Sequence, residues 1–201
     1  RRLGTRIDYL PQALKAGEVE LFLDEDMLLQ PLRWKRPRDI FVCSMTDLFG
    51  EFVREDWIDR IVAVMSLTDR HTYQVLTKRA LRMQNYFTGY DQLRDTAVMR
   101  VQGYALDYLK NGKVSRNGYG PHYLSDIRQH REDLRPFPLR NVLLGASVED
   151  QKTADLRRPS LSVVARRGWR TWVSYEPALG PVDWTGWEFI KSLVVGGESG
   201  P

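Results

Sequence analysis

Val142-Leu143-Leu144, running on through Gly145-Ala146-Ser147-Val148-Glu149-Asp150, then a helical pattern over residues 153–166, then Thr171-Trp172-Val173, decides the fold. An apolar run, a polar turn, an amphipathic stretch and a second apolar run within roughly 30 residues are the parts of a βαβ unit. The apolar runs lack strict alternation, which suits strands buried on both faces, as parallel strands are. Leu156, Leu161, Val163 and Val164 supply the apolar positions of the helix between them, and Pro159 predicts a kink or a restart within it.

The same pattern extends in both directions. Ile40-Phe41-Val42-Cys43, Thr72-Tyr73-Gln74-Val75-Leu76 and Leu193-Val194-Val195 read as further strands. Glu55–Leu67 reads as a helix with an acidic first turn and Trp57, Ile58, Ile61, Val62, Val64 and Met65 on one broad face. Residues 89–138 form a helical insertion, with a helix over 91–110, a polar loop over 111–121 and a charged helix over 124–134. Such an insertion is either a lid over a binding face or a neutral elaboration. Pro31-Leu32-Arg33-Trp34 reads as a loop that delivers the chain into the first strand. The chain opens without Met and stops directly after a strand, so residues 1–201 are expected to form a single incomplete domain of a longer protein. The fold class is α/β: a partial (β/α) TIM-type barrel with parallel strands and right-handed crossovers.

At 201 residues and 42% hydrophobic, the chain can bury a sizeable core. No apolar run approaches the ~18 residues needed to span a bilayer. A lone cysteine, Cys43, excludes an internal disulfide framework and suits the cytoplasm. Set in an apolar run, it reads as a small buried hydrophobe ahead of a nucleophile. The net charge of +4 permits nucleic-acid or nucleotide partners without demanding them. Basic residues cluster at Arg33, Lys35, Arg36 and Arg38, and again at Arg166, Arg167 and Arg170. Each cluster is either a solvated loop or helix end or a phosphate contact.

Chemistry is expected where the strands end, because a parallel barrel points all its C-terminal strand ends to one rim. Those ends carry Ser44 and Asp47, Thr77, Lys78 and Arg79, Ser147, Glu149 and Asp150, Ser174 and Glu176, and Gly196, Gly197 and Glu198. Asp47, Ser147 and Asp150 are also candidate helix caps. Glu149, Glu176 and Glu198, being longer, are poorer caps and better ligand or proton-handling groups. Lys78 and Arg79 either bind an anion or neutralise these carboxylates. Gly196 and Gly197 lack a dinucleotide fingerprint but let a ligand approach the backbone closely. His71 precedes a strand at the opposite rim, and His122 and His130 have no recognised metal spacing. Trp172, Trp184 and Trp187 read as packing, the latter two also as flanks for a flat ligand.

Five ordered blocks resemble a known family. They are Ile40-Phe-Val-Cys-Ser-Met-Thr-Asp-Leu-Phe49 with the Pro31–Arg38 stretch before it, His71-Thr-Tyr-Gln-Val-Leu-Thr-Lys-Arg79, Leu144-Gly-Ala-Ser-Val-Glu-Asp-Gln151, Ser174-Tyr-Glu-Pro-Ala-Leu-Gly-Pro181 and Val194-Val-Gly-Gly-Glu-Ser-Gly-Pro201. Together they look like the phage-associated three-cysteine-motif family, whose members are radical-SAM-like. The likeness covers about residues 20–88 and 138–201.

The resemblance implies a radical S-adenosylmethionine enzyme acting on an unknown substrate. Three cysteines preceding Arg1 would hold a [4Fe–4S] cluster that cleaves S-adenosylmethionine reductively. The cluster ligands are then not in this chain. By position, Ser44 and Asp47 would lie near the methionine moiety, Ser147 and Glu149 near the ribose or substrate, and Lys78, Glu176, Gly196, Gly197 and Glu198 on the remaining rim. Two other readings stand beside this one: a phage-encoded nucleic-acid-binding module using its arginine-rich surface, and a barrel hydrolase using paired carboxylates.

Overall fold

The structure, a computed structural model, describes residues 21–89, 97–111 and 137–197. Five parallel strands form one curled half-barrel sheet in strict chain order: β1 (Asp39–Val42), β2 (Thr72–Thr77), β3 (Val142–Val148), β4 (Arg170–Tyr175) and β5 (Ser192–Val195). The described helices are α1 (Glu25–Arg33), α2 (Glu55–Leu67), α3 (Ala80–Thr88), α4 (Ala97–Asn111) and α5 (Gln151–Arg166). A sheet laid down in sequential order with right-handed crossovers carries its helices on one face. Val75, Val142, Leu144, Ala146, Val148 and Val173 point to that face, where they meet Val62 and Met65 of α2 and Leu161 and Val164 of α5 in the core.

Side chains alternate along a strand, so the residues between these point to the face that no described helix covers, hereafter the helix-free face. There the Trp172 indole lies across Gly145, its register partner on β3. Its Nε1–H donates to the Val75 carbonyl on β2 at 3.2 Å, so one side chain spans three strands. Phe41 meets it edge-on at 6.1 Å. A Cβ on residue 145 would stand 2.4 Å from the indole nitrogen, so glycine is required there by the close approach.

The helix predicted for Glu55–Leu67 is observed over those residues. Several expectations are corrected. Pro31, Leu32 and Arg33 are not a loop but the last turn of α1, whose N-cap Asp24 accepts from the Met27 N–H at 3.0 Å. Proline tolerates this helix because buried Leu28 and Pro31 hold it against the core. The strand predicted as Val142-Leu143-Leu144 continues to Val148, because Gly145 and Ala146 keep the ladder with both β2 and β4, and Ser147 and Val148 keep it with β4. Pro159 does not interrupt α5, which runs unbroken from Gln151. Cys43 is not in a strand but in the turn after β1, with φ of 56°. The crossover from β4 to β5 contains no helix; Trp187, Phe189 and Ile190 pack there instead.

In the insertion, α4 packs on α2. Arg100 donates to Asp59 at 2.7 Å and to Glu55 at 2.6 Å, while the Tyr86 hydroxyl of α3 donates to Asp59 at 2.7 Å. Burial pushes the Asp59 carboxyl up, against the opposing pull of Arg100 and Tyr86. The described part of the insertion thus belongs to the outer helix layer. The loop over 111–121 (beyond the end of α4), the helix predicted over 124–134, and His122 and His130 lie outside the described residues.

Gly145→Ala is expected to cost about 1–3 kcal/mol by overpacking against Trp172. Urea denaturation measures it; an unchanged midpoint would mean the indole is free to slide off β3.

Candidate functional site

The loop after β1 is braced at the C-terminal rim. Asp47 Oδ1 accepts from the Phe49 N–H at 2.9 Å and from the Thr77 hydroxyl at 2.6 Å. Its Oδ2 accepts from the Lys78 N–H at 2.9 Å and from Arg79 Nη1 at 3.2 Å. Four donors occupy both oxygens, so Asp47 fastens the β1 loop to the end of β2. It does not cap α2, whose N-cap is Arg54. From α3, Arg82 donates to the carbonyls of Phe49, Gly50 and Val53 and holds the same loop from the other side. Ser44 stands exposed at the tip of the preceding turn.

Glu149 is the centre of a second brace. Nη1 of buried Arg157, on α5, lies 2.7 Å from its Oε2 and also donates to the Ser147 carbonyl at 2.6 Å. The Lys78 ammonium lies 2.9 Å from Oε1. Burial would raise the carboxyl of Glu149, but Lys78 and Arg157 outweigh it and hold the group below its ordinary value. The Glu149 carbonyl accepts from the Leu179 N–H at 2.9 Å, which ties down the loop after β4. Asp150 caps α5, in a capping box with Thr153.

What remains open on the helix-free face is a pair of hydroxyls. Ser147 and Ser174 are register partners on β3 and β4, each 6% exposed. They stand one step beyond Gly145 and Trp172 on the same face, about 4.8 Å apart by strand spacing. Neither hydroxyl has a hydrogen-bond partner among the described residues. Beside them stands Val194, the register partner of Ser174, and further across the sheet Phe41; these are 48% and 44% exposed. Glu176 is exposed and folds its carboxyl over Gly196, where a Cβ would come within 2.7 Å of Oε1. A Cβ on Gly197 would meet nothing within 4 Å, so the backbone there is open to a ligand.

The structure therefore brings Lys78, Ser147, Glu149, Glu176, Gly196 and Gly197 to one rim. Asp47 and Glu149 are spent on bracing, and Glu198 lies outside the described residues. The sequence reading did not single out Arg157, although its signal was present: Ala154, Arg157, Leu161 and Val164 share one helical stripe, and an arginine on an apolar stripe needs a buried anion. Ser174 was quoted as part of a strand end but not as a site residue.

With this geometry in view, residues 3–201 match the family described as Protein of unknown function (DUF5131). The chain belongs to that family. No curated protein and no solved structure matches it.

An apolar hollow of about 300 Å³ in this DUF5131 chain does not lie over that rim. It opens beside edge strand β1, between α1 and α2, and its titratable lining groups are the α1 cap Asp24, Cys43 and Tyr73. Burial pushes the Cys43 thiol up, with a hydrogen bond to Thr46 opposing and the Asp47 charge adding to the rise. A neutral thiol among hydrocarbon is packing, not a nucleophile.

A carboxyl held low in the fold stabilises it above its unfolded value, and that contribution is lost as pH falls through the folded one. Wild-type stability is therefore expected to drop as acid passes below the ordinary glutamate range, and Glu149→Gln to flatten that part of the curve. At neutral pH the variant should lose about 1.5–3 kcal/mol, because Arg157 is left without its anion. Denaturant titrations across pH test both; identical curves would remove Glu149 as the brace.

Proposed function

We propose that the protein is a barrel-type enzyme that binds S-adenosylmethionine on the helix-free face at the C-terminal ends of its strands. The observation that carries the reading is the Ser147–Ser174 pair: two hydroxyls on largely buried residues that bond no described residue, beside an open glycine backbone. Hydroxyls not engaged by the protein are free to bond a ligand at about 0.5–1.5 kcal/mol each.

The donor set suits this cofactor. Two adjacent hydroxyls match a ribose edge, the Glu176 carboxylate matches an ammonium, and exposed Phe41 offers a face to a flat base. The strand-end blocks that resemble the radical-SAM-like family point to the same cofactor. When bound, S-adenosylmethionine supplies an activated sulfonium whose C–S bond can be cleaved. The chain's own residues bind and orient it: the braces at Asp47 and Glu149 hold the loops in place, and Trp172 closes the floor against water.

The residues present do not fit an iron–sulfur cluster. Cys43 is the sole cysteine of the sequence, and among the described residues no group of three or more side chains is placed to hold a metal. Thiolates for a cluster would have to come from outside these 201 residues. The hydrolase reading is weakened by Glu149, which two cations keep ionised and engaged, unsuited to act as a general acid beside Glu176.

Isothermal titration with S-adenosylmethionine tests the proposal. Wild type should bind, and Ser147→Ala with Ser174→Ala together should weaken binding about tenfold, at roughly 0.5–1.5 kcal/mol per lost hydrogen bond. Glu176→Gln, at an exposed position, should weaken binding without moving the unfolding midpoint. Absence of binding by folded wild type would sink the reading.

A further inference from the structure

The two basic clusters of the sequence, far apart along the chain, meet at the rim opposite the serine pair. Arg38 directly precedes β1, Arg70 and Arg140 stand two residues before β2 and β3, Arg170 opens β4, and Lys191 directly precedes β5. The sheet runs in chain order, so each strand brings one cation to its N-terminal end in spatial sequence. At about 4.8 Å per strand the row spans roughly 19 Å. All five side chains are exposed, and exposed Lys35 and Arg36 extend the row beyond Arg38. Two exposed carboxylates, Asp39 and Asp69, interrupt it.

The row is built, not merely solvated. Arg70 donates to the carbonyls of Pro31, Leu32 and Trp34 at 2.8–3.1 Å, which fixes its charge in place. Arg38 lies 4.4 Å over the Trp34 ring. Arg170 Nη1 donates to the Arg140 carbonyl at 3.2 Å, so those two residues are coupled across β3 and β4. Between them and Thr72 opens a cleft of about 550 Å³, lined also by Asn141. A row of cations interrupted by Asp39 and Asp69, with a polar cleft lined by Asp69, Arg140 and Arg170 at its middle, complements a linear polyanion whose charges repeat at a few ångströms.

We propose that this N-terminal rim binds the phosphate backbone of a nucleic acid along the row Arg38, Arg70, Arg140, Arg170 and Lys191. The row contacts phosphates and reads no bases, so binding is independent of sequence and falls with salt. It stands independently of the S-adenosylmethionine reading, since it uses none of the same residues and lies at the other end of the strands.

The test is fluorescence anisotropy with labelled single-stranded and duplex oligonucleotides longer than the row, across a salt series. Binding should weaken linearly on a log–log plot with a slope of about −3.5 for single strands and about −4.5 for duplex, for five phosphate contacts. Arg140→Glu and Lys191→Glu, each at a side chain with no partner among the described residues, should each weaken binding roughly five- to tenfold at moderate salt and flatten the slope by about one or more. Lys152→Glu makes the same change in net charge on exposed α5 and should leave affinity within about twofold. Failure of wild type to bind either oligonucleotide at low salt overturns the proposal, as does an equal loss in Lys152→Glu. Binding to phosphatidylserine vesicles without binding to oligonucleotide overturns it as well.

Discussion

Five parallel strands laid down in chain order, each returned by a right-handed crossover, can carry their helices on one face only. Everything else in the molecule answers that constraint. The helix side is filled with Val142, Leu144, Ala146 and Val148 against α2 and α5, and needs no special device. No described helix covers the other side. Trp172 is the answer at its centre: laid flat across Gly145 and bonded to the Val75 carbonyl, it shields three strands with one ring. Above that ring the face turns from apolar to hydroxylic at Ser147 and Ser174.

Charge is divided along the strand axis by the same geometry. At the C-terminal rim the carboxylates Asp47 and Glu149 are held by Arg79, Arg157 and Lys78, so strong local fields cancel and the loops stand still. At the N-terminal rim the cations mostly face backbone carbonyls, a ring or solvent, and their fields add. The burial of Glu149 and Arg157 makes the first arrangement rigid: removing either partner leaves an uncompensated charge in a poorly solvated place. Surface exposure makes the second adaptable and sensitive to salt.

The sheet was legible in the sequence because its signal is local. Runs such as Thr72-Tyr73-Gln74-Val75-Leu76, set apart by amphipathic helices, can be read from periodicity alone, and Glu55–Leu67 emerged with its ends intact. Boundaries failed where a residue serves a distant partner. Gly145 and Ser147 look like turn formers, yet they sit inside β3, Gly145 because Trp172, twenty-seven positions later, needs the space. Pro31 and Pro159 look like breakers, yet both lie within helices held by tertiary packing. The strand-end carboxylates were legible as a set, but not which of them are free. That depends on Arg157 and Thr77 reaching across elements, and a single sequence does not display such pairings.

The bracing also explains which polar groups of the rim are left without a protein partner. A site must hold its donors within a fraction of an ångström, and on loops that demands supports which do not themselves touch the ligand. Here Asp47, Arg82, Glu149 and Arg157 are such supports, each committed to backbone or to an opposite charge. Subtracting them from the polar residues of the rim leaves Ser147, Ser174, Glu176 and the glycine backbone of Gly196 and Gly197. None of these four elements is positioned by its own loop: two hydroxyls ride on central strands, one carboxylate leans on a glycine, and the glycines follow an edge strand paired to β4. A ligand that fits them therefore meets groups already in place, and its binding need not order the protein first.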